Sequence, residues 1–199
     1  MMKTLLPGSP TGFTSVERHV CPWWVGYFLA SPLRRLRQEP FAILGPWVGE
    51  GMRVLEPGSG MGYFSIPLAR LVGPSGRVIC VDLQEKMLSG LQRRARRAGV
   101  SDSLEARACT AESLGVDDLA GTMDFALAFA IVHEVPDARA FFQQLHRALK
   151  RAGRILIAEP THVSPDEFET TVKSALEAGF VAVASPSISR SHSLVIEKA

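Results

Sequence analysis

The sequence predicts an α/β fold: a seven-stranded, mostly parallel sheet with helices on both faces and a terminal antiparallel hairpin. From about residue 51 onward, short β-branched runs alternate with helical patterns, and the last two apolar runs have no helix between them. Alternating strands and helices are typical of parallel sheets, whereas strands joined by a short loop pair antiparallel. We therefore expect one α/β domain over residues 51–199, preceded by a helical extension or lid over residues 1–50.

Five apolar runs predict the parallel strands, and amphipathic stretches between them predict the helices. In chain order the predicted strands are residues 53–56, 78–81, 104–109, 125–130 and 154–158. Predicted helices follow the first, second and fourth of these strands, around residues 66–71, 85–98 and 138–149. Gly99 is expected to end the second helix and Gly153 to mark the turn into the fifth strand, because glycine suits such turns.

The C-terminal part departs from this alternation. Pro165, followed by two acidic residues, predicts a helix that runs to about residue 178, because proline and acidic side chains favour the first helical turn. Gly179 is expected to end this helix. The runs 180–184 and 194–196 then follow with only a loop between them, so we expect them to form the antiparallel hairpin.

Length, charge and cysteine content exclude several classes of protein. A chain of 199 residues with 46% hydrophobic residues has the size of one ordinary globular domain. The net charge of +2, from 22 basic and 20 acidic residues, provides no general attraction to nucleic acid or to anionic membranes. Cys21, Cys80 and Cys109 form no C-x-x-C pair, so neither a disulfide framework nor a metal site is predicted.

The apolar runs predict a cytoplasmic protein without a membrane span. The apolar patch near the N-terminus is cut off by Pro7 and is too short for a signal peptide. The longest apolar run, residues 125–132, is too short to cross a bilayer. Unpaired cysteines fit a reducing compartment, which also favours the cytoplasm.

A glycine-rich turn follows the first predicted strand, at the place where α/β sheets bind ligands. Its glycines are Gly58, Gly60 and Gly62. A dinucleotide turn of the G-x-G-x-x-G type needs a further glycine at position 63, which is Tyr63. Glu56 would also lie close to two phosphate charges, whereas a carboxylate favours a cation. The turn therefore suits S-adenosylmethionine, with its sulfonium and ammonium groups, better than a pyrophosphate.

Asp82 ends the second predicted strand, 24 residues after Gly58. A carboxylate at this position can accept hydrogen bonds from both hydroxyls of a ribose. Taken alone, Asp82 could equally cap the following helix at its N-terminus. The combination of the glycine turn, Glu56 and Asp82 favours the ribose-binding interpretation.

With these residues the chain resembles the class I S-adenosylmethionine-dependent methyltransferases, whose first motif is an acidic residue followed by G-x-G-x-G. The resemblance covers about residues 50–199 and is nearest to the small single-domain enzymes around the ubiquinone/menaquinone-biosynthesis methyltransferases. It implies a Rossmann-like domain, methyl transfer, and S-adenosylmethionine as the cofactor. The cofactor-binding residues that it implies are Glu56, Gly58, Ser59, Gly60, Gly62, Asp82, Leu83, Thr110, Ala111, Glu112 and Phe129.

The same resemblance assigns a role to several of these positions. It implies that the glycines admit the methionine part of the cofactor and that Glu56 orders the turn and the amino group. It further implies that Asp82 binds the ribose and that Leu83 packs on the adenine. The family often has Asp-Ala after the third strand, where this chain has Thr110 and Ala111. Adenine contact is therefore expected to rely on the Ala111 amide.

The residues after the fourth predicted strand indicate the acceptor side. His133 and Glu134 stand where the family keeps its substrate chemistry, and the family's motifs for nucleic-acid amino groups, cytosine C5 and metal-bound catechols are absent from the sequence. A histidine titrates near neutrality and can act as a base. Alternatively, His133 caps the segment before the next helix. We predict His133 as the catalytic residue and both residues as substrate contacts.

Large aromatic side chains cluster in the N-terminal extension. Trp23, Trp24 and Tyr27 are predicted substrate contacts, because aromatic walls commonly line small-molecule pockets. We expect residues 15–45 to fold as helices over the cofactor. The alternative is that these aromatic residues pack on the flank of the domain or in a dimer contact.

The sequence thus predicts a methyltransferase that acts on a small or amphipathic acceptor. Two alternatives remain: a non-catalytic S-adenosylmethionine-binding module, and an RNA methyltransferase that uses the arginines of residues 93–97 and of residues 34–37. A solvated helix face explains these arginines, so a nucleic-acid partner is not expected. The sequence determines neither the oligomeric state nor the acceptor.

Overall fold

The computed structural model describes residues 38–199, and a seven-stranded sheet runs through this part of the chain. Its strands are β1 (Arg53–Pro57), β2 (Arg77–Asp82), β3 (Leu104–Ala108), β4 (Met123–Phe129), β5 (Leu149–Pro160), β6 (Phe180–Ala184) and β7 (Ser191–Lys198). The strand order is β3-β2-β1-β4-β5-β7-β6. Strands β1 to β5 pair in parallel, whereas β7 pairs antiparallel with both β5 and β6. The predicted fold of the sheet, mostly parallel with helices on both faces and a terminal antiparallel hairpin, is confirmed.

Five α-helices accompany the sheet in the described part. They are α1 (Pro40–Leu44), α2 (Ser65–Val72), α3 (Glu85–Ala98), α4 (Ala138–Ala148) and α5 (Pro165–Glu177). Short 3₁₀ turns span Ser101–Ser103, Asp117–Leu119 and Val132–Glu134. Helix α5 begins with a capping box between Ser164 and Glu167, and α3 ends at Gly99, whose φ of 68° is left-handed.

The sheet separates two hydrophobic cores because neighbouring strand residues point to opposite faces. Leu55 of β1 belongs to the core formed with α4 and α5, which includes Phe142 and Ala175. Val54, one residue earlier, belongs to the core formed with α1, α2 and α3, which includes Leu68. Both faces of β1 are therefore buried, as in doubly covered parallel sheets.

Gly153, expected to mark the turn into the fifth strand, lies inside β5, which already begins at Leu149. Leu149, predicted as the end of a helix, already pairs with Met123, and the register between β4 and β5 shifts before Phe125. The left-handed residue of this segment is Ala152, with φ of 56°, and not Gly153. Gly153 is required for space instead, since a Cβ there would lie 2.9 Å from the carbonyl oxygen of Lys150.

The N-terminal extension is described only from residue 38 onward. Within residues 38–50, the short helix α1 begins at Pro40, and Glu39 caps it by accepting a hydrogen bond from the Ala42 amide. The predicted substrate contacts Trp23, Trp24 and Tyr27 lie outside the described residues.

Candidate functional site

A cavity of about 360 Å³ lies at the carboxyl edge of the parallel strands. Four segments line it: the glycine-rich turn after β1, the residues after β2, the segment after β3, and the stretch from the end of β4 into α4. Open α/β sheets bind their ligands at this edge. The cavity is therefore the candidate site within residues 38–199.

The glycine-rich turn is fastened to the neighbouring strand β2. The backbone amides of Gly58 and Ser59 donate hydrogen bonds to the Val81 carbonyl, at 2.8 and 3.2 Å. Gly58 and Gly60 have φ values of 68° and 53°, which residues with a side chain rarely adopt. A Cβ on Gly60 would meet nothing within 4 Å, so the cavity is open beside this residue. The turn therefore presents its bare backbone to a ligand.

Gly62 has a packing role in this structure. Its φ is 82°, and a Cβ there would lie 2.3 Å from Cδ1 of Leu91 in α3. Gly62 does not line the cavity. The absence of a side chain lets the turn approach α3, while the turn's other two glycines face the cavity.

Asp82 connects two of the segments that line the cavity. Its Oδ2 accepts a hydrogen bond from the Gly60 amide at 2.8 Å, and its Oδ1 accepts one from the Gln84 amide at 2.9 Å. Burial raises the pKa of Asp82, and these two backbone hydrogen bonds oppose the rise. Each carboxylate oxygen keeps further accepting capacity, so Asp82 can hold the turn and accept from a ligand together.

Glu56 points away from the cavity, toward the start of α2. Its carboxyl group is buried, accepts a hydrogen bond from Oγ of Ser65 at 2.5 Å, and has Sγ of Cys80 at 3.7 Å. Burial raises the pKa of Glu56 to about 8. This geometry orders the turn through α2, and it puts the carboxyl group on the sheet face opposite that of Leu55.

Ser59 has a buried hydroxyl group that lacks a hydrogen-bond partner among the described residues. A buried polar group without a partner is unfavourable, and a ligand commonly supplies the partner at a binding site. Ser59 itself is not among the residues that line the cavity. Its position inside the turn is nevertheless one residue from both Gly58 and Gly60, which do line it.

The segment after β3 forms the opposite wall. Thr110, Ala111 and Glu112 line the cavity, as does Leu83 after β2, which is 38% exposed. The Thr110 hydroxyl accepts a hydrogen bond from the Ser113 amide at 3.1 Å, and this closes a tight turn. Leu83 offers an apolar surface and the backbone of this turn offers amide groups, and together they suit a planar nucleobase.

The charged side chains that line the cavity in the described part are all acidic. They are Asp82, Glu112, Glu134 and Asp137. The N-terminus of α4 partly offsets the charge of Asp137, because its Oδ1 accepts a hydrogen bond from the Ala140 amide. Such a lining attracts a cation and repels a pyrophosphate.

The end of β4 places His133 beside the cavity. Ala130, Ile131 and Glu134 line the cavity, whereas His133 does not. The His133 side chain is 27% exposed, and its Nδ1 is hydrogen-bonded to the carboxylate of Glu159 at the end of β5. This hydrogen bond raises the pKa of His133, and burial opposes the rise.

Phe129 also lies outside the cavity lining. Its ring packs on that of Phe64, with the centroids 4.4 Å apart. Of the eleven predicted cofactor residues, seven line the cavity: Gly58, Gly60, Asp82, Leu83, Thr110, Ala111 and Glu112. The other four predicted residues do not line the cavity: Glu56, Ser59, Gly62 and Phe129.

Several cavity residues were not predicted from the sequence. The stretch after β4 and the first turns of α4 contribute an apolar wall that includes Ile131, Val135 and Phe141. In the sequence these apolar residues look like ordinary core residues, so no signal distinguished them. Glu159 was also missed, although an acidic residue directly after a buried strand was a usable signal.

The residues present fit a cationic nucleoside cofactor. The open space at Gly60, the buried carboxylate of Asp82, the unpartnered Ser59 hydroxyl and the acidic lining suit a ribose and positively charged groups. Within residues 38–199, no group of three metal-binding side chains occurs. No helix of this part is long and apolar enough to cross a membrane.

Comparisons with known proteins agree with this geometry. Residues 49–191 match a family described as a methyltransferase domain. A ubiquinone/menaquinone biosynthesis C-methyltransferase UbiE from Pasteurella multocida is 33% identical over 112 residues, which are 56% of this chain and 41% of that protein. The corresponding UbiE from Cronobacter sakazakii is 30% identical over 56% of this chain and 44% of its own length. The chain thus matches less than half the length of these curated relatives.

A solved structure also shares the fold. A SAM dependent methyltransferase from Aquifex aeolicus superimposes with a TM-score of 0.78 and 22% sequence identity, over 89% of this chain and 98% of that chain.

Proposed function

Because the chain belongs to the methyltransferase-domain family, we propose that it transfers the methyl group of S-adenosylmethionine to a small or amphipathic acceptor. The family membership confirms the predicted class I S-adenosylmethionine-dependent methyltransferase, an enzyme whose cofactor is S-adenosylmethionine. The proposal rests on the cavity with its acidic lining, in which the Gly60 amide donates a hydrogen bond to Asp82.

The chain's own residues would hold the cofactor in this cavity. When bound, S-adenosylmethionine supplies an electrophilic methyl group on a positively charged sulfur. Asp82 accepts hydrogen bonds from the ribose hydroxyls, and the backbone of Gly58 and Gly60 contacts the methionine part of the cofactor. The Ser59 hydroxyl, which has no hydrogen-bond partner among the described residues, lies inside the same turn. Leu83 packs on the adenine, and the Ala111 amide contacts its edge.

Methyl transfer is mainly a task of positioning, which can lower the barrier by roughly 7–11 kcal/mol. A base is needed only where the acceptor must lose a proton. His133 is the candidate base, since its imidazole adjoins the cavity wall and is partly exposed. Glu134 is the candidate acceptor contact because it lines the same cavity.

A small-molecule acceptor is favoured over RNA by the charge of the site. In the described part of the chain, no lysine or arginine lines the cavity. In the arginine stretch, Arg94 donates a hydrogen bond from Nη1 to the Met61 carbonyl at 2.6 Å, so this side chain supports the glycine-rich turn. The curated relatives named as C-methyltransferases of quinone biosynthesis also point to a small or amphipathic acceptor.

Labelled S-adenosylmethionine tests the proposal. The protein is incubated with a panel of phenols, quinols, carboxylic acids and amines, and in parallel with structured RNA. We expect adenosylhomocysteine release and a labelled product with a small molecule only. Asp82→Ala should abolish the signal, while the exposed Asp102→Ala should not. Turnover with RNA alone would support the RNA methyltransferase alternative, and cofactor binding without any turnover would support the non-catalytic module.

A further inference from the structure

We propose that Glu159 is a positioning residue that holds His133 as a base, so that the acceptor is one that must lose an O–H or acidic C–H proton. The inference rests on the proposed methyl transfer and narrows its acceptor class. It predicts turnover of hydroxyl or acidic carbon compounds, and no turnover of thioethers or tertiary amines, which have no proton to lose.

Glu159 brings together three successive residues that follow β4. Its side chain is fully buried at the carboxyl end of β5. Oε1 accepts hydrogen bonds from the backbone amides of Ile131 and Val132, at 3.2 and 2.9 Å. Oε2 is hydrogen-bonded to Nδ1 of His133. A buried carboxylate is costly unless it is paired and hydrogen-bonded, and these three donors satisfy it.

This arrangement selects one tautomer of the imidazole. A carboxylate accepts hydrogen bonds and does not donate them, so the Nδ1 of His133 carries the proton. Nε2 is then the nitrogen that takes up or releases a proton. It lies 4.0 Å from Oε1 of Glu134, a residue that lines the cavity. The reactive nitrogen is therefore on the side of Glu134 and the cavity wall.

The charged groups around His133 favour its role as a proton acceptor. Glu159 faces it from β5, Glu134 from its own segment, and Glu167 from α5, and each of these carboxylates raises the pKa of His133. The ring of His162, after β5, lies edge-on at a centroid distance of 5.4 Å. A raised pKa makes the imidazole a stronger base.

The proposed step is balanced without a further reactant. Nε2 of His133 takes the proton from the acceptor, and the acceptor atom forms a bond to the methyl carbon. The carbon–sulfur bond breaks, and its electron pair remains on the sulfur. His133 then releases this proton to solvent, which reaches the partly exposed ring.

Glu159→Gln separates positioning of the base from support of the cavity wall. The glutamine carbonyl can still accept from the Ile131 and Val132 amides, so the wall is retained. Its amide group faces Nδ1 and donates, which forces the proton of His133 onto Nε2. The variant therefore inverts the tautomer while it preserves the shape of the site. Glu169→Gln is the matched control, since it makes the same change at an exposed carboxylate of α5.

The tautomer and pKa are measured by NMR on protein with ¹⁵N-labelled histidine. Wild type should show a protonated Nδ1 and a pKa for His133 above the ordinary value of about 6.5. In Glu159→Gln we expect the opposite tautomer and a pKa at or below that value. An unchanged tautomer and an unchanged pKa would overturn the proposal.

Kinetics and binding complete the test. Glu159→Gln should lower kcat by about 10²-fold or more, the usual contribution of a general base, with adenosylhomocysteine affinity unchanged within twofold. The loss should shrink for an acceptor already ionised at the assay pH, and Glu169→Gln should behave as wild type. An equal loss of affinity and kcat would show that Glu159 only supports the wall. If no acceptor is turned over, the proposed function fails, while the NMR result still decides whether Glu159 positions His133.

Discussion

The carboxylate of Asp82 accepts a hydrogen bond from the Gly60 amide at 2.8 Å. The residue expected to hold the ribose therefore also holds the glycine-rich turn, and the two sides of the cofactor cavity depend on one side chain. Cofactor binding and the order of the turn should consequently respond together to changes at position 82.

Replacing Asp82 should weaken cofactor binding. Asp82→Ala removes an acceptor for the ribose and releases Gly60, so we expect the affinity for adenosylhomocysteine to fall at least tenfold, about 1.4 kcal/mol. Titration calorimetry measures this change. Asp102→Ala, at an exposed position before β3, should bind as wild type. Binding of NADH but not of adenosylhomocysteine would contradict the cofactor assignment.

Two glycines with the same φ make a matched pair of variants. Gly58 and Gly99 both have φ of 68°, but a Cβ at Gly58 would lie 2.7 Å from Cδ1 of Ile131, and one at Gly99 would meet nothing within 4 Å. The left-handed φ alone should cost alanine about 1–2 kcal/mol of unfolding free energy at either position, and the contact with Ile131 should add to this cost at Gly58. Urea denaturation measures this cost.

Only the first of these variants should disturb the cofactor site. Ile131 lines the cavity and its backbone amide is held by Glu159, so its Cβ, 3.2 Å from the added carbon on Gly58, cannot move away by a change of rotamer. We expect Gly58→Ala to weaken adenosylhomocysteine binding by roughly tenfold or more in calorimetry. Gly99→Ala should bind normally. Equal affinities for the two variants would show that the contact with Ile131 is irrelevant to binding.

Glu56 should make the protein less stable as the pH rises. Burial raises the pKa of Glu56 to about 8 in the folded state, whereas an unfolded glutamate titrates near 4.3. Between these values the folded state binds one more proton than the unfolded state, so the free energy of unfolding falls with increasing pH. The slope approaches about 1.4 kcal/mol per pH unit for one group.

Glu56→Gln should remove this dependence. Urea denaturation from pH 5 to 8 should give a flatter profile for Glu56→Gln than for wild type, because glutamine keeps a hydrogen bond to Ser65 without a charge. The exposed Glu169→Gln serves as the control and should retain the wild-type slope. Parallel profiles for wild type and Glu56→Gln would mean that Glu56 is not the group responsible.

Removing residues 1–37 should abolish methyl transfer without unfolding the sheet. We proposed from the sequence that Trp23, Trp24 and Tyr27 wall the acceptor pocket, and a methyl-transfer site benefits from the exclusion of water. The truncated chain keeps Gln38, whose carbonyl accepts a hydrogen bond from the Tyr63 hydroxyl at 2.6 Å. Circular dichroism and adenosylhomocysteine binding should be retained. Unchanged acceptor kinetics would contradict the lid.

Elements with strong local signals agree closely with their predictions. Helix α3 spans Glu85–Ala98 and ends at Gly99, and strand β6 spans Phe180–Ala184, both as expected. The amphipathic period, helix caps and glycine turns that define them act within a few residues. For the same reason, the sequence alone identifies the glycine-rich turn and the strand end at Asp82 as a ligand site.

The first residues of β5 could not be predicted from such local signals. Gly153 was expected to mark the turn from a helix into the fifth strand, but it lies inside β5, next to Ala152, which has the left-handed conformation. The pairing of Met123 with Leu149 and the register shift that follows decide the path of this segment. Such pairing is a property of two strands together, so neither segment alone reveals it.

The sequence by itself determined the alternation of strands and helices, the ligand edge of the sheet and the residue types that favour a cationic nucleoside. Only the tertiary structure decided which side chains meet. Glu56 lies two residues before Gly58, yet it faces α2, because the pleat of β1 alternates between two buried faces that have similar composition. Glu159 reaches His133, 26 residues away, because β4 and β5 pair with Phe129 opposite Ala158. Registers of this kind depend on long-range packing, which no local pattern encodes.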